Sequence, residues 1–261
     1  AEVNRTIELE ELQKMKSQFE TAARDVEQTV HNEVNAASQA FNQQVTDLQA
    51  GLDGSGTLIA LQAGVASPSI MAASGFMKIP ENGVDSFAME GIADHPYDIA
   101  NQRLAYGRKE PGPQVWFWRS VGHSQNIFFM ESFIDELAAA AKKDPFEFRR
   151  AMLGQQPRYK GVLELAAEKA GWGRPLPAGV FRGIAVAQSF GSCVAEVAEV
   201  SVAADGTPRV HRVVAAVDCG MTVNPLTIER QIEGAIVYGL SAALYGRISI
   251  KDGRVEQGNF N

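Results

Sequence analysis

The first fifty residues contain nothing that interrupts a helix. No Gly or Pro occurs before Gly51, so all 24 Gly and 11 Pro of this 261-residue chain fall in the remaining 211 positions. Gly and Pro are the strongest punctuation of regular structure, and their confinement divides the chain into two compositions joined near residue 50. Apolar residues recur at Leu12, Met15, Phe19, Ala22, Val26, Val30, Val34, Ala37, Phe41, Val45 and Leu48. The mean interval of about 3.6 is the period of a straight amphipathic helix and not of a coiled-coil seam. Glu, Gln, Asn, Lys and Asp occupy the opposite face. Such a stripe must be buried against the rest of the chain or a partner, so the plain reading is a packing or oligomerisation helix. Asp53-Gly54 and the run Thr57-Leu-Ile-Ala-Leu61 read as a turn and a strand, with residues 45–52 as the partner strand. The helix is therefore predicted to end near residue 43, with Val45 and Leu48 matching the stripe by accident.

Composition excludes several classes. With 45% hydrophobic and 21% charged residues the chain has globular composition, which argues against disorder, collagen and a small disulfide scaffold. The net charge of −7 argues against nucleic acid or an anionic membrane as partner. No run reaches the length of about 18 apolar residues that a membrane span needs. Ala1 to Glu11 has neither the basic nor the apolar region of a signal peptide, and a chain whose signal had been removed would look the same. The compartment stays open between periplasm and cytoplasm.

Residues 66–112 read as loop-rich, punctuated by Ser67-Pro-Ser69, Pro80-Glu-Asn-Gly83, His95-Pro96 and Glu110-Pro-Gly-Pro113. A short strand is predicted at Val115–Val121, broken by Gly122, with Ser124 capping a helix to about Lys142. Phe128, Phe129, Phe133, Ile134 and Leu137 are expected on its apolar face, with Glu131, Asp135 and Glu136 outward. Asp144-Pro145 supplies an N-cap and a first-turn proline for a second helix, and Tyr159–Ala170 makes a third, ended by Gly171. Val180–Phe190, Cys193–Ala203 and Arg209–Val217 read as strands, the last two joined at Asp205-Gly206. Asn224-Pro225 opens a helix from about Leu226 to Tyr245, and Lys251-Asp-Gly253 turns a final hairpin. The expected class is α+β, mostly antiparallel.

Motifs for phosphate loops, zinc proteases and serine hydrolases are absent. His31, His95, His123 and His211 show no ligand spacing. A two-residue turn at Asp205-Gly206 would bring Cys193 and Cys219 within one step of each other on adjacent strands. Strand spacing rarely suits a disulfide, so two free thiols are expected. Arg119 is more informative. It follows Trp116, Phe117 and Trp118 and enters the turn Ser120-Val-Gly122 before a helix. Exposed backbone N–H groups and an always-charged guanidinium beside aromatic walls suit an anionic or oxo-bearing ligand. The alternative is an Arg stacked on Trp118 and paired with a surface carboxylate. Gln231 and Glu233 open the second turn of the long helix and read as a polar face.

Several segments in one order resemble a known family. Trp118-Arg-Ser-Val-Gly-His-Ser-Gln-Asn126, Met130-Glu-Ser-Phe-Ile-Asp-Glu-Leu137 and Asp144-Pro-Phe-Glu-Phe-Arg-Arg150 lead. Ala195-Glu-Val-Ala-Glu-Val-Ser-Val202, Val217-Asp-Cys-Gly220, Val223-Asn-Pro225, Gln231-Ile-Glu-Gly-Ala235 and Tyr238-Gly-Leu-Ser-Ala-Ala-Leu-Tyr-Gly246 follow. Together they resemble the molybdopterin-binding large subunit of the xanthine dehydrogenase/aldehyde oxidase family, in its isoquinoline 1-oxidoreductase beta-subunit branch. Ala50-Gly-Leu-Asp-Gly54 and Val65-Ala-Ser-Pro-Ser-Ile70 extend the likeness backward, so it covers about residues 45–261 and leaves residues 1–44 as a unit of unknown origin.

The resemblance implies oxidation or hydroxylation of an aldehyde or an electron-poor N-heterocycle at a molybdenum centre. The cofactor would be molybdenum-molybdopterin, in the cytosine dinucleotide form, with electrons leaving through 2Fe-2S clusters on a small iron–sulfur subunit. By motif, Trp118, Arg119, Ser120, Val121 and Gly122 match the segment against the molybdenum centre, and Gln231 matches a glutamine that hydrogen-bonds the pterin. The family's catalytic Gly-Glu motif and its Glu-Met-Gly-Gln-Gly and Gly-Gly-x-Phe-Gly loops have no counterpart here. No catalytic residue and no metal ligand is therefore assigned. The expectation is an internal fragment with an incomplete cofactor site, partnered by the remaining large-subunit segments or a second copy. The rival expectation is a catalytically incompetent module that assembles through its N-terminal helix.

Overall fold

The computed structural model describes residues 45–109, 115–252 and 254–258. The helix expected over residues 12–43, His31 and the Glu110–Pro113 turn lie outside the described residues.

The Asp53-Gly54 turn signal produces a hairpin. Strand β1 (Val45–Leu52) pairs antiparallel with β2 (Leu58–Ser67), and Asp53 Oδ1 accepts the Ser55 and Thr57 N–H groups at 2.9 Å each. β2 alternates: Leu58, Leu61, Ala63 and Val65 are buried. A third strand, β3 (Asn101–Arg108), lies parallel to β2 on its other side. This corrects the loop-rich reading of residues 66–112, which also hold two short helices, α1 (Ile70–Ser74) and α2 (Ser86–Met89). β3 is mostly exposed along its length, so it lacks the apolar alternation that announces a strand. Asp85 ties this region together. It caps α2 through the Phe87 and Ala88 N–H groups and accepts from Ser69 Oγ (2.7 Å) and the Met71 N–H (2.9 Å).

Three helices follow: α3 (His123–Ala140), α4 (Pro145–Ala151) and α5 (Pro157–Ala170). Asp144 caps α4 as its sequence predicts, accepting from the Phe146 and Glu147 N–H groups, and Gly171 ends α5 in the left-handed conformation. On α5 the buried residues Tyr159, Val162, Leu163, Ala166, Ala167 and Ala170 form one face at helical spacing. That face packs on the antiparallel meander β4 (Val180–Ser189), β5 (Ser192–Val202) and β6 (Pro208–Asp218), meeting Ile184, Val186, Ala195, Val197 and Ala216 in one core. Burying each large aliphatic side chain there contributes roughly 1.5–3 kcal/mol, and the alanines let helix and sheet approach closely. The β5–β6 register sets Cys193 opposite Asp218, one step from Cys219. Both thiols are free, Cys193 buried and Cys219 exposed.

The face of α3 differs from expectation. Phe128 is 67% exposed, whereas Met130, Glu131, Ile134, Leu137 and Ala138 are buried. Glu131 turns inward because Arg149, fully buried on α4, captures it: Arg149 Nε donates to Glu131 Oε2 (2.9 Å), one terminal nitrogen to the Glu131 carbonyl (2.9 Å) and the other to Asp135 Oδ1 (2.5 Å). Tyr97 Oη donates to Glu131 Oε1 (2.5 Å) and the Val186 N–H to Oε2 (2.9 Å). Burial opposes the charge on Arg149, but Glu131 and Asp135 outweigh it and raise its pKa. The network fixes α3 against α4, β4 and the loop before β3.

After β6, Asn224 caps α6 (Pro225–Tyr245) through the Thr227 N–H, and none of its residues is buried. A small hairpin, β7 (Ile250–Lys251) and β8 (Arg254–Val255), follows. The class is α+β, mostly antiparallel, with β2–β3 as the parallel pair.

Candidate functional site

The segment expected to be a strand at Val115–Val121 has no strand pairing: residues 115–118 are irregular and residues 119–122 form a turn. Two features prevent a strand. Val121 adopts a positive φ of 50°, which a β-branched residue rarely tolerates. Gly122 lies on the α2 segment so tightly that a Cβ there would overlap the Phe87 carbonyl oxygen. The turn is closed by the Val121 N–H donating to the Trp118 carbonyl (3.3 Å). Helix α3 starts at His123 with Gly122 as its N-cap and no side-chain cap. Ser124, expected as the cap, instead shares a hydrogen bond with Ser120 (2.6 Å between hydroxyls).

The turn rests on residues 85–94. Phe117 meets Phe87 edge-on at 5.4 Å between ring centroids. Asn126 Nδ2 donates to the Ala88 (2.9 Å) and Glu90 (2.7 Å) carbonyls, and buried His123 lies 3.0 Å from Asp94 and 3.3 Å from Glu90. Below the turn Asp85, Ala88, Met89, Ile92, His123 and Asn126 are buried; above it Trp118 is 59% exposed and Arg119 is exposed.

Above the turn stands α6. Arg119 lies over the Tyr238 ring, 5.3 Å from its centroid, and the Trp118 and Tyr238 rings are 6.2 Å apart. Arg119 therefore stacks on Tyr238, not on Trp118 as the alternative reading had it. A cation over an exposed ring contributes about 0.5–1 kcal/mol. Gln231 precedes Tyr238 by seven residues, almost two helical turns, so both lie on one face of α6 about 10 Å apart along its axis. Gln231 is exposed. Trp118 and Arg119 are thus joined to the face that carries Gln231, with Ser120, Val121 and Gly122 beneath them.

Sequence reasoning missed two sets of residues. Tyr238 connects turn and helix, and its spacing from Gln231 was the available signal. His123 with Asp94 and Glu90 carried no signal beyond its place next to the turn, because the carboxylates lie about thirty residues earlier. Of the other histidines, His95 Nε2 meets Gln102 Oε1 at 2.9 Å and His211 meets Ser201 Oγ at 2.7 Å. No group of three His, Cys, Asp or Glu residues among the described residues is arranged to hold a metal ion.

Two family models, each described as a molybdopterin cofactor-binding domain, match residues 19–153 and 134–261. The isoquinoline 1-oxidoreductase subunit beta of Brevundimonas diminuta is 34% identical over 169 residues, covering 63% of this chain and 22% of that protein. The solved structure of quinoline 2-oxidoreductase from Pseudomonas putida 86 aligns with a TM-score of 0.41 at 19% identity, over 60% of this chain and 22% of that one. A separate likeness is short and high: the Sec-independent protein translocase protein TatB of Cupriavidus metallidurans is 63% identical over 43 residues, 16% of this chain and 26% of that protein. The chain spans about a fifth of the length of the oxidoreductase proteins it matches.

Proposed function

The chain belongs to the molybdopterin cofactor-binding domain family, and from that premise we propose that its Trp118–Gly122 turn and α6 form one wall of a molybdenum cofactor site. The observation that carries this reading is the Arg119 guanidinium, exposed above a strained turn and stacked on Tyr238, facing the helix that presents Gln231. The residues fit such a group. A phosphate-bearing, planar ligand needs a permanent positive charge, a flat aromatic surface and hydrogen-bond donors; Arg119, the Trp118–Tyr238 pair and Gln231 supply them. When bound, the cofactor supplies two-electron oxidation of an aldehyde or an N-heterocycle.

This chain's own part is to bind and orient. Arg119 holds negative charge by ionic attraction at fixed position, since a guanidinium does not deprotonate. Gln231 can donate through its amide nitrogen and accept through its oxygen, which suits a ring edge carrying both kinds of group. Ser120 and the Val121–Gly122 backbone close the floor, above buried Asn126. In this reading the cofactor would be of the cytosine dinucleotide form, a small iron–sulfur subunit with 2Fe-2S clusters would serve as electron acceptor, and the remaining walls would come from other large-subunit segments.

The test is cofactor retention after co-production with the cofactor-assembling machinery and the iron–sulfur subunit, measured as molybdenum and pterin per chain. Arg119→Ala and Gln231→Ala should each weaken cofactor retention by roughly ten- to a hundredfold, as loss of one hydrogen bond to a charged group, about 1.5–3 kcal/mol, implies. Background molybdenum in the unsubstituted protein would refute the site.

The TatB likeness favours a second reading, in which a segment of about 43 residues serves assembly. We assign it to the Gly- and Pro-free start, because the α+β elements begin at Val45. Deleting residues 1–44 should then change the sedimentation coefficient beyond the loss of mass; a change matching the lost mass alone rejects it.

A further inference from the structure

His123 follows the turn directly and opens α3, with its ring only 9% exposed. Two carboxylates from the segment after α2 flank it: Nε2 lies 3.0 Å from Asp94 Oδ2 and Nδ1 lies 3.3 Å from Glu90 Oε2. The Ser189 hydroxyl, at the end of β4, is 3.4 Å from Nδ1. A neutral imidazole carries one N–H and can donate to one of the two carboxylates; an imidazolium carries two and serves both. Glu90 Oε2 is buried, and the charge of the ring together with the Gly122 N–H favours its carboxylate. Asp94 is itself held in place by the Gly91 N–H, 2.5 Å from its Oδ1.

The segment bearing both carboxylates is also the floor of the turn. Its Phe87 carbonyl faces Gly122, and its Ala88 and Glu90 carbonyls accept from Asn126. Val121, with φ of 50°, lies between Trp118 and this anchor. A conformation of that kind costs about 1–3 kcal/mol and persists only where its surroundings over-determine it.

The geometry points to His123 as a positioning residue: its protonated ring clamps residues 86–94 to the start of α3 and so fixes the 118–122 turn in its ligand-facing conformation. The inference rests on the assignment of that turn to the cofactor. Burial works against the charge on His123, but the hydrogen bond and charge of Asp94, with the charge of Glu90, outweigh it and raise the pKa above the usual 6.5. The His123 contribution to the clamp is therefore full below pH 6.5 and is lost as pH rises through the raised value. Burial likewise favours neutral Asp94, but the His123 hydrogen bond and the Gly91 N–H outweigh it and lower its pKa below 3.8. Glu90 is raised chiefly by burial, with Asp94 and Asp85 adding repulsion. Tyr159 of α5 also feels the Asp94 charge.

Hydrogen exchange read by mass spectrometry on the full chain tests this without activity, over about pH 5.5 to 9 with rates corrected for intrinsic exchange. Protection of the amides of residues 119–122 should fall severalfold as pH rises through the His123 titration, while α5 stays protected. His123→Gln should abolish the step. Asp94→Asn should move it to lower pH, and decides the matter if His123→Gln fails to fold. A flat profile in wild-type protein, or an unchanged step in His123→Gln, overturns the clamp. Molybdenum and pterin content, measured on the same preparation, judges the cofactor assignment separately: a flat profile in cofactor-loaded protein overturns the clamp alone, and a clear step in protein that retains no cofactor supports the clamp and removes its assigned ligand.

Discussion

Replacing Gly122 with Ala tests how the turn is held. The added Cβ would overlap the Phe87 carbonyl oxygen and come within 3.2 Å of Glu90 Cβ. Relief to an ordinary carbon–oxygen contact of roughly 3.3–3.6 Å requires a displacement on the order of 1 Å. Neither side can yield at low cost. The Ala88 and Glu90 carbonyls are held by Asn126, and Asp85 caps α2. Overpacking contributes about 1–3 kcal/mol, and weakening one or two of these hydrogen bonds adds about 0.5–1.5 kcal/mol each. The sum is a loss of about 1.5–6 kcal/mol, or a fall in Tm of roughly 3–24 °C for a domain of this size. The assay is thermal unfolding followed by circular dichroism, with Gly161→Ala as control. Gly161 lies exposed within α5 and its added Cβ meets nothing within 4 Å, so that change should stabilise by about 0.5–1 kcal/mol. If Gly122→Ala melts within a degree of wild type while Gly161→Ala rises, the contact between turn and α2 is not what holds residues 118–122.

Two further outcomes follow from the ion pairs. Arg149→Ala leaves Glu131 buried without its cation and should destabilise by about 3–5 kcal/mol in urea unfolding; a loss below about 1 kcal/mol would mean that the network contributes no more than a surface pair. Asp218, hydrogen-bonded by Arg158 Nε at 2.9 Å, has its pKa lowered to about 2 by that bond and by the Gly220 N–H. Its contribution is present above pH 3.8 and disappears as pH falls through about 2. In a carboxyl NMR titration Arg158→Gln should return Asp218 toward 3.8; an unmoved value would assign the shift to the backbone alone.

Where a structural element depends on neighbours in sequence, it was legible. Asp205-Gly206 fixes the β5–β6 register, Asp144-Pro145 starts α4, and Gly171 stops α5, each by local backbone chemistry. Where an element depends on a distant partner, it was not. Glu131 looks like a solvent-facing acid until Arg149, eighteen residues on, draws it inward. β3 has a polar surface and is a strand only because β2 pairs with it. The site divides in the same way. The motif led to Trp118–Gly122 and Gln231 as the proposed cofactor wall, but the contact of Tyr238 depends on how α6 meets the turn, and the proposed clamp at His123 on a carboxylate pair from a segment joined by a long connection. The positive φ of Val121 has no local sequence signature, because nothing about valine asks for it.

If the turn binds the cofactor as proposed, that valine sets stability and recognition against each other. Val121 is buried, at 8% exposure, in a conformation that glycine or asparagine would adopt with less strain. The rest of the domain carries this cost whether or not a ligand is present. Selection for thermostability alone would therefore erode position 121 first, and directed evolution toward a hardier protein should enrich substitutions there that relax the turn and weaken what it binds.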